Sequence, residues 1–299
     1  MDTVDLERRL AAARSHEDWV TAIAGVFSAH GLVYGHGTDN AEDEAFWLVR
    51  HVQRWDDAAW ARRPNAAAIP ALVKLAQRRV VERAPLAYLL NEAWFAGLRF
   101  TVDERVLVPR SPLAEVIERG FAPWCDLAAG DRVLDIGTGS GCLAIATAVY
   151  WPEITVDATD VAPGALAVAR ENVLRHAVSD RVRLLQADLF PDDSQRYRVI
   201  MSNPPYVPAA EVASLPPEYA REPQLALAGG ATGFAAVDRI LRGAARRLSS
   251  DGVLIVEVGG GAPAFTAAYP ALPVIWLALE RGGDGVFVIG AAELAREFP

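Results

Sequence analysis

Asn203-Pro204-Pro205-Tyr206 follows the apolar run Tyr197-Arg198-Val199-Ile200-Met201, so the tetrapeptide reads as a rigid exit from a strand. The Asn203 side chain carries a carbonyl acceptor and an amide donor, and successive prolines fix φ and hold the Pro204 carbonyl in place. Two acceptors held in this way can take both hydrogens of one planar NH2 group. The nitrogen of an amide or an aniline-type amine is a poor nucleophile while its lone pair is delocalised, and drawing its hydrogens out of plane localises that pair. With Tyr206 closing one wall, the tetrapeptide predicts N-methylation of such a group. The plainer alternative is a strand end followed by a proline turn.

Upstream, Arg132-Val133-Leu134 runs into Asp135-Ile136-Gly137-Thr138-Gly139-Ser140-Gly141, and a helical run from Cys142 to Tyr150 follows. In a strand, glycine loop, helix unit the glycines let the backbone approach a ligand, and the helix N-terminus favours electronegative groups. The spacing G-x-G-x-G departs from the dinucleotide pattern and suits a cofactor without a pyrophosphate. A second strand, Thr155-Val156-Asp157-Ala158-Thr159-Asp160, ends in a carboxylate where an acid can accept from both hydroxyls of a ribose. A third, Val182 to Ala187, ends at Asp188-Leu189-Phe190, and Asp188 with Leu189 is expected to address an adenine. Either acid alone could be an ordinary solvated strand end, but the two recur at successive strand ends.

Residues 130 to 299 therefore resemble a class I S-adenosylmethionine-dependent methyltransferase, and Asn203 to Tyr206 resembles the claw of its amino-methylating group. Glu222-Pro223-Gln224-Leu225-Ala226-Leu227 with Gly229, Gly230 and Gly233 is similar to the stretch after the claw in protein-glutamine N5-methyltransferases. So are Phe95 to Phe100 and Val106-Leu107-Val108-Pro109-Arg110. Tyr34-Gly35-His36-Gly37-Thr38-Asp39-Asn40-Ala41 resembles a signature of the branch acting on a large-subunit ribosomal protein, the L-three protein. The resemblance implies an α/β, Rossmann-like fold with a seven-stranded sheet, preceded by a small all-helical domain and a β-hairpin linker. It implies S-adenosyl-L-methionine as cofactor, with Asp135, Gly137, Thr138, Gly139, Ser140, Gly141, Asp160, Asp188, Leu189 and Asn203 around it. Asn203, Pro204, Pro205 and Tyr206 would be catalytic, with no metal. Three departures stand out: Ser111-Pro112-Leu113-Ala114 after Arg110, which argues against the release-factor branch, Thr232 in place of a usual aspartate, and Gly259-Gly260-Gly261 after Glu257-Val258.

At 299 residues and 52% hydrophobic composition, the chain can bury a sizeable core. The start, Met1 to Arg9, alternates charges instead of forming a secretory signal, and the greasy stretch Val253 to Leu279 is broken by Glu257, glycines and prolines. The expectation is a cytoplasmic protein that meets no membrane. Cys125 and Cys142 make neither a disulfide framework nor a metal pair, and His36 with Asp39, Asp43 and Glu44 lacks the EF-hand pattern. A net charge of -9 weighs against direct nucleic-acid binding and suits a basic protein partner. A basic ribosomal protein before or during assembly is such a partner.

Helical signals fill residues 1 to 90: Trp19 to Phe27, Phe46 to Gln53, and Ile69 to Arg83 starting near Pro70, with Asn40 suited to cap a helix. Trp19, Trp47, Trp55 and Trp60 could touch substrate, though aromatics at helical spacing more often form a core. Residues 91 to 110 are expected as a hairpin linker, with strands on either side of Val102-Asp103-Glu104. From Ser111 onward strands and helices alternate, including a helix from Phe234 to Leu248, a strand from Gly252 to Val258, and a closing hairpin around Arg281 to Gly285. Domains at 1–90 for substrate recognition, 91–110 as linker and 111–299 for methyl transfer follow. The function expected is methylation of the N5 side-chain amide nitrogen of a glutamine in the ribosomal protein. The rivals are a release-factor glutamine, adenine N6 or guanine N2 in nucleic acid, and a non-catalytic cofactor-binding module.

Overall fold

A computed structural model describes residues 1–54 and 63–299; Trp55 and Trp60 lie outside the described residues. The chain divides into two units, one of Met1–Ala93 with Pro216–Arg221, the other of Trp94–Leu215 with Glu222–Pro299.

The first unit is helical, and local chemistry sets where its helices begin. In α1 (Thr3–Ala12) the Asp2 side chain caps two backbone N–H groups, and α2 (His16–Ala29) starts in a reciprocal capping box between Ser15 and Asp18. Asn40 caps α3 (Ala41–Gln53) through the Asp43 N–H, with Glu42, Asp43 and Glu44 in the first turn complementing the helix dipole. Pro70 sits in the opening turn of α4 (Ile69–Glu82), and α5 (Leu86–Leu90) follows Pro85. Leu6, Leu10, Ile23, Phe27, Leu48 and Leu72 make the buried interior. Trp19 is buried among them and donates its indole N–H to the Leu10 carbonyl at 2.8 Å, so it is a core residue. Trp47 is likewise buried and donates to Glu92 at 3.2 Å.

Inside this unit lies a buried ion cluster. Arg79, 1% exposed, donates to Glu44 at 2.5 and 3.3 Å, to Glu218 at 3.2 Å, and to the Val33 carbonyl at 2.9 Å. Glu218 also accepts from the Val33 N–H at 3.0 Å, and Arg221 donates to the Glu82 carbonyl. The segment Pro216–Arg221 is thus pinned into the helical unit by long-range pairs.

The second unit begins at Trp94, inside a short hairpin of β1 (Ala93–Phe95) and β2 (Leu98–Phe100) that turns at Ala96-Gly97, both at positive φ. The hairpin was expected to extend through residue 108, but residues 101–109 form no strand. Asp103 explains the difference: its carboxylate accepts from the Arg105 backbone and guanidinium, and its carbonyl from Val106 N–H, which folds the chain into a local turn.

After α6 (Leu113–Glu118) come β3 (Arg132–Ile136), α7 (Cys142–Tyr150), β4 (Thr155–Asp160), α8 (Pro163–Arg175), β5 (Val182–Gln186) and β6 (Tyr197–Ser202). Next are α9 (Ala209–Val212), α10 (Ala235–Arg247), β7 (Leu248–Glu257), α11 (Ala262–Ala268), β8 (Ile275–Trp276), β9 (Val286–Gly290) and α12 (Ala291–Glu297). Seven strands form one sheet in the order β5-β4-β3-β6-β7-β9-β8, parallel from β5 to β7, with β9 antiparallel to both β7 and β8. The fold is a mixed α/β one. β7 starts four residues before the expected Gly252, because Leu248 pairs with Tyr197 ahead of an irregularity in the ladder. The order reverses after β3, between β3 and β6, so their carboxyl ends border a crevice where α/β sheets bind ligands. Leu134, Ile136, Ile200, Leu254 and Val256 pack with α10 and Phe265 into one core cluster. Among the described residues, no helix is long and apolar enough to cross a membrane.

Candidate active site

The register of the parallel strands brings the sequence motifs to one edge: Ile136 pairs with Thr159 on one side and Ser202 on the other, and Asp160 pairs with Gln186. The Gly137 and Thr138 N–H groups both donate to the Thr159 carbonyl at 2.9 Å, fastening the glycine loop across β4. Gly139 N–H donates to Asp160 Oδ2 at 2.9 Å, while Asp160 Oδ1 accepts from Ala162 N–H at 2.9 Å. Asp160 is therefore held rigid, with lone pairs left on both oxygens. Gly137 and Gly139 sit at φ +72° and +55°, and open space lies where their side chains would be. That bare backbone is a cradle that a ligand can approach.

Asp135 lies behind the loop, fully buried. Its Oδ2 accepts from Thr138 Oγ at 2.6 Å and Ala144 N–H at 3.2 Å, and its Oδ1 has no hydrogen-bond partner among the described residues. Burial pushes this carboxyl up to about 7, against the pull of those two hydrogen bonds. Asn172 on α8, also fully buried, donates to the carbonyls of Ser140 and Thr101 and so ties the loop to the segment after β2. Cys142, at the start of α7, is pushed up to about 12 by burial, which leaves it a thiol and no nucleophile.

One cavity of about 360 Å³ is lined by Gly137, Thr138, Gly139, Ser140, Asp160, Asp188, Leu189, Asn203 and Pro205. Its volume is within the range of small-molecule sites. Asp135, Gly141, Pro204 and Tyr206, also expected at the site, do not line it. Asp188 is exposed and meets Arg239, another lining residue, in a two-pronged ion pair at 2.7 and 3.1 Å, which holds its carboxyl below the usual range. Leu189 takes φ +74°, and its carbonyl accepts from Thr159 Oγ at 2.6 Å.

Asn203, half-buried, is the first residue after β6 and faces the cavity. The backbone beyond it is clamped to residues 227–230: Val207 N–H donates to the Leu227 carbonyl at 3.0 Å, Gly229 N–H to Val207 at 2.8 Å, and Ala209 N–H to Gly230 at 2.8 Å. A side chain on Gly229 would fall 2.7 Å from the Pro205 carbonyl, so this close approach requires glycine. Further support comes from Glu222, which accepts from both prongs of Arg110 at 2.7 Å and from Val108 N–H at 3.1 Å. Tyr206 donates its phenol proton to Glu257 at 3.3 Å.

Asn172, Arg239, Glu257, Ser111 and the Arg110–Glu222 pair had no role assigned from sequence. Ser111 carried one signal, as a departure after Arg110, and Glu222 another, as the head of a familiar stretch. Among the described residues, no group of three His, Cys, Asp or Glu is disposed to hold a metal ion.

The model of a methyltransferase small domain matches residues 122–215, which contain the loop, Asp160 and the claw. The chain is 45% identical over 273 residues to a ribosomal protein uL3 glutamine methyltransferase of Bordetella pertussis, spanning 89% of this chain and 92% of that one. It is 43% identical over 294 residues to the protein so named in Burkholderia pseudomallei, spanning 93% and 94%. The corresponding protein of Neisseria gonorrhoeae is 43% identical over 277 residues, spanning 91% and 92%. At that identity over almost the full length of each relative, the chain belongs to the ribosomal protein uL3 glutamine methyltransferase family.

Proposed function

We propose that this chain is a class I methyltransferase that uses S-adenosyl-L-methionine to methylate the N5 side-chain amide nitrogen of a glutamine in ribosomal protein uL3. The observation that carries the chemistry is that Asn203 shares one cavity with the glycine loop and Asp160. The cavity suits the cofactor: open space beside Gly137 and Gly139 admits it, and Asp160 offers acceptors for a ribose diol. Thr138 and Ser140 lie along the same loop, Asp135 and Gly141 support it from behind, and Leu189 with Asp188 stands on the adenine side. When bound, S-adenosyl-L-methionine supplies an electron-poor sulfonium methyl group.

The residues of the chain orient the acceptor. The Asn203 side-chain oxygen and the Pro204 carbonyl take the two hydrogens of the glutamine amide, drawing its nitrogen lone pair out of conjugation. Pro205 and Tyr206 fix the exit of the claw, and the clamp onto residues 227–230 keeps it rigid. Such alignment lowers the barrier by several kcal/mol without a charged catalyst. No strong base is needed, because the nitrogen becomes acidic only as it gains the methyl group.

The helical unit recognises the protein substrate, while the sheet unit carries the chemistry. The acidic chain, at -9, attracts a basic ribosomal protein before or during assembly. The test is incubation with labelled cofactor and purified uL3, followed by mass mapping. One methyl group on a single glutamine is expected. Label appearing only on a release factor or on nucleic acid would overturn the assignment.

A further inference from the structure

Tyr206 is held by a residue that no other step of the reaction uses. Its phenol donates to Glu257 Oε1 at 3.3 Å, and Ser111 Oγ donates to Glu257 Oε2 at 2.5 Å. Glu257 closes β7 and is 5% exposed, so water has little access to replace either contact. The chain behind the tyrosine is shaped around it. Gly259 takes φ +51°, and a Cβ there would fall 2.8 Å from the Tyr206 ring. The first glycine after Val258 therefore has a steric cause, while a side chain at Gly260 would meet open space.

The direction of the phenol proton matters to an amide acceptor. A hydrogen bond donated to the amide oxygen would draw the nitrogen lone pair back into conjugation, against the action of the claw. An ionised carboxylate can only accept, so an ionised Glu257 takes the phenol proton for itself. We propose that Glu257, assisted by Ser111, is a positioning residue for methyl transfer: it fixes the Tyr206 ring and keeps its proton away from the substrate amide. This rests on the amide methylation proposed above.

A protonated Glu257 must donate from one oxygen, so it can no longer accept from both hydroxyls, and the Tyr206 proton loses its acceptor whenever Tyr206 is the one that takes the donated bond. Burial raises this carboxyl to about 7, while Ser111, Tyr206 and the charge of Arg110 pull it down. Turnover should therefore rise with pH as Glu257 ionises.

The full-length chain, labelled S-adenosyl-L-methionine and purified uL3 serve as the assay. Glu257→Gln, which keeps the shape and loses the charge, is expected to lower kcat about tenfold, with cofactor Kd within about twofold and the rising pH limb gone. In a Tyr206→Phe background it should cost nothing further, because its effect passes through the phenol. Ser111→Ala removes one stabilising hydroxyl and should move the rising limb to higher pH, which keeps the proposal testable even if Glu257→Gln fails to fold. Unchanged kcat and pH profile in a folded Glu257→Gln variant would overturn the proposal. So would a loss that adds in full to Tyr206→Phe, or a limb that Ser111→Ala leaves in place. Absence of methylation by the unsubstituted chain would instead overturn the assigned reaction, so the two failures are distinct.

Discussion

The carbonyl oxygen of Tyr206 occupies the space beside Gly233 where a side chain would have to go: a Cβ there would lie 2.5 Å from it. Gly233 also sits at φ +85°, where other residues are strained. Gly233→Ala should therefore displace the claw backbone and cost about 1–2 kcal/mol from the dihedral alone. A kcat reduced by more than tenfold with cofactor affinity nearly unchanged is expected, roughly the effect of a 1 Å misplacement. Normal turnover in this variant would show that the clamp on the claw is dispensable.

Asn203→Ala removes an acceptor from the claw and leaves the glycine loop intact. Most activity should go while cofactor affinity stays within a few fold. Single-turnover kinetics and calorimetry on the same sample separate the two effects, and near-normal turnover in a folded variant would remove Asn203 from the mechanism.

Asp160→Ala should act on the cofactor in two ways, because Asp160 both offers acceptors to a ribose and holds the Gly139 and Ala162 N–H groups. Each charge-assisted hydrogen bond is worth about 1.5–3 kcal/mol, so at least a tenfold rise in cofactor Kd is expected. Asp160→Asn should lose less, since its remaining oxygen still accepts. Equal affinity of parent and alanine variant in titration calorimetry would rule out the role.

Asp135 makes stability depend on pH. Its folded value, about 7, lies above the usual 3.8, so between those values the folded chain binds a proton that the unfolded chain has released. That contribution is present in full below about pH 4 and is lost as pH rises through 7. The melting temperature of Asp135→Asn relative to the parent should therefore rise between pH 5 and pH 8, the more so because Asp160 adds a repelling charge. A difference that stays flat across this range, read by scanning calorimetry, would count against the buried carboxyl.

Removing Arg79 leaves Glu44 and Glu218 buried without their common partner. Arg79→Ala should cost the protein about 3–5 kcal/mol, measured by urea unfolding. His36 belongs to the same unit: it is buried, with its ring 4.5 Å from that of Tyr219. Changing His36, Thr38 and Asp39 together should thus lower the melting temperature as well as the methylation of uL3. A raised KM at an unchanged melting temperature would assign the loop to recognition alone.

Much of the site was legible because its requirements are local. Glycines at 137, 139 and 141 announce a backbone that other residues resist, an acid at a strand end announces an acceptor at a sheet edge, and Asn203-Pro204-Pro205 limits its own conformations. Periodicity and capping residues such as Ser15 and Asn40 likewise marked the helices of the first unit. The hairpin was misread at its second strand because Asp103 turns the chain through its own side chain, a contact that apolar patterning does not register.

What only folding decided are pairings between distant residues. Asp188 meets Arg239 across 51 positions, Tyr206 meets Glu257 across 51, and Glu222 meets Arg110 across 112. None of these pairings is marked by the neighbours of either residue in the chain; each is chosen by strand order and by the face on which a helix or loop returns. The same holds for Pro216–Arg221, which joins the helical unit because Arg79 waits there as a buried counter-charge. Burial, too, is a property of the assembled sheet: Asp135 is an ordinary acid in sequence, and its raised value comes from the layers that close over it.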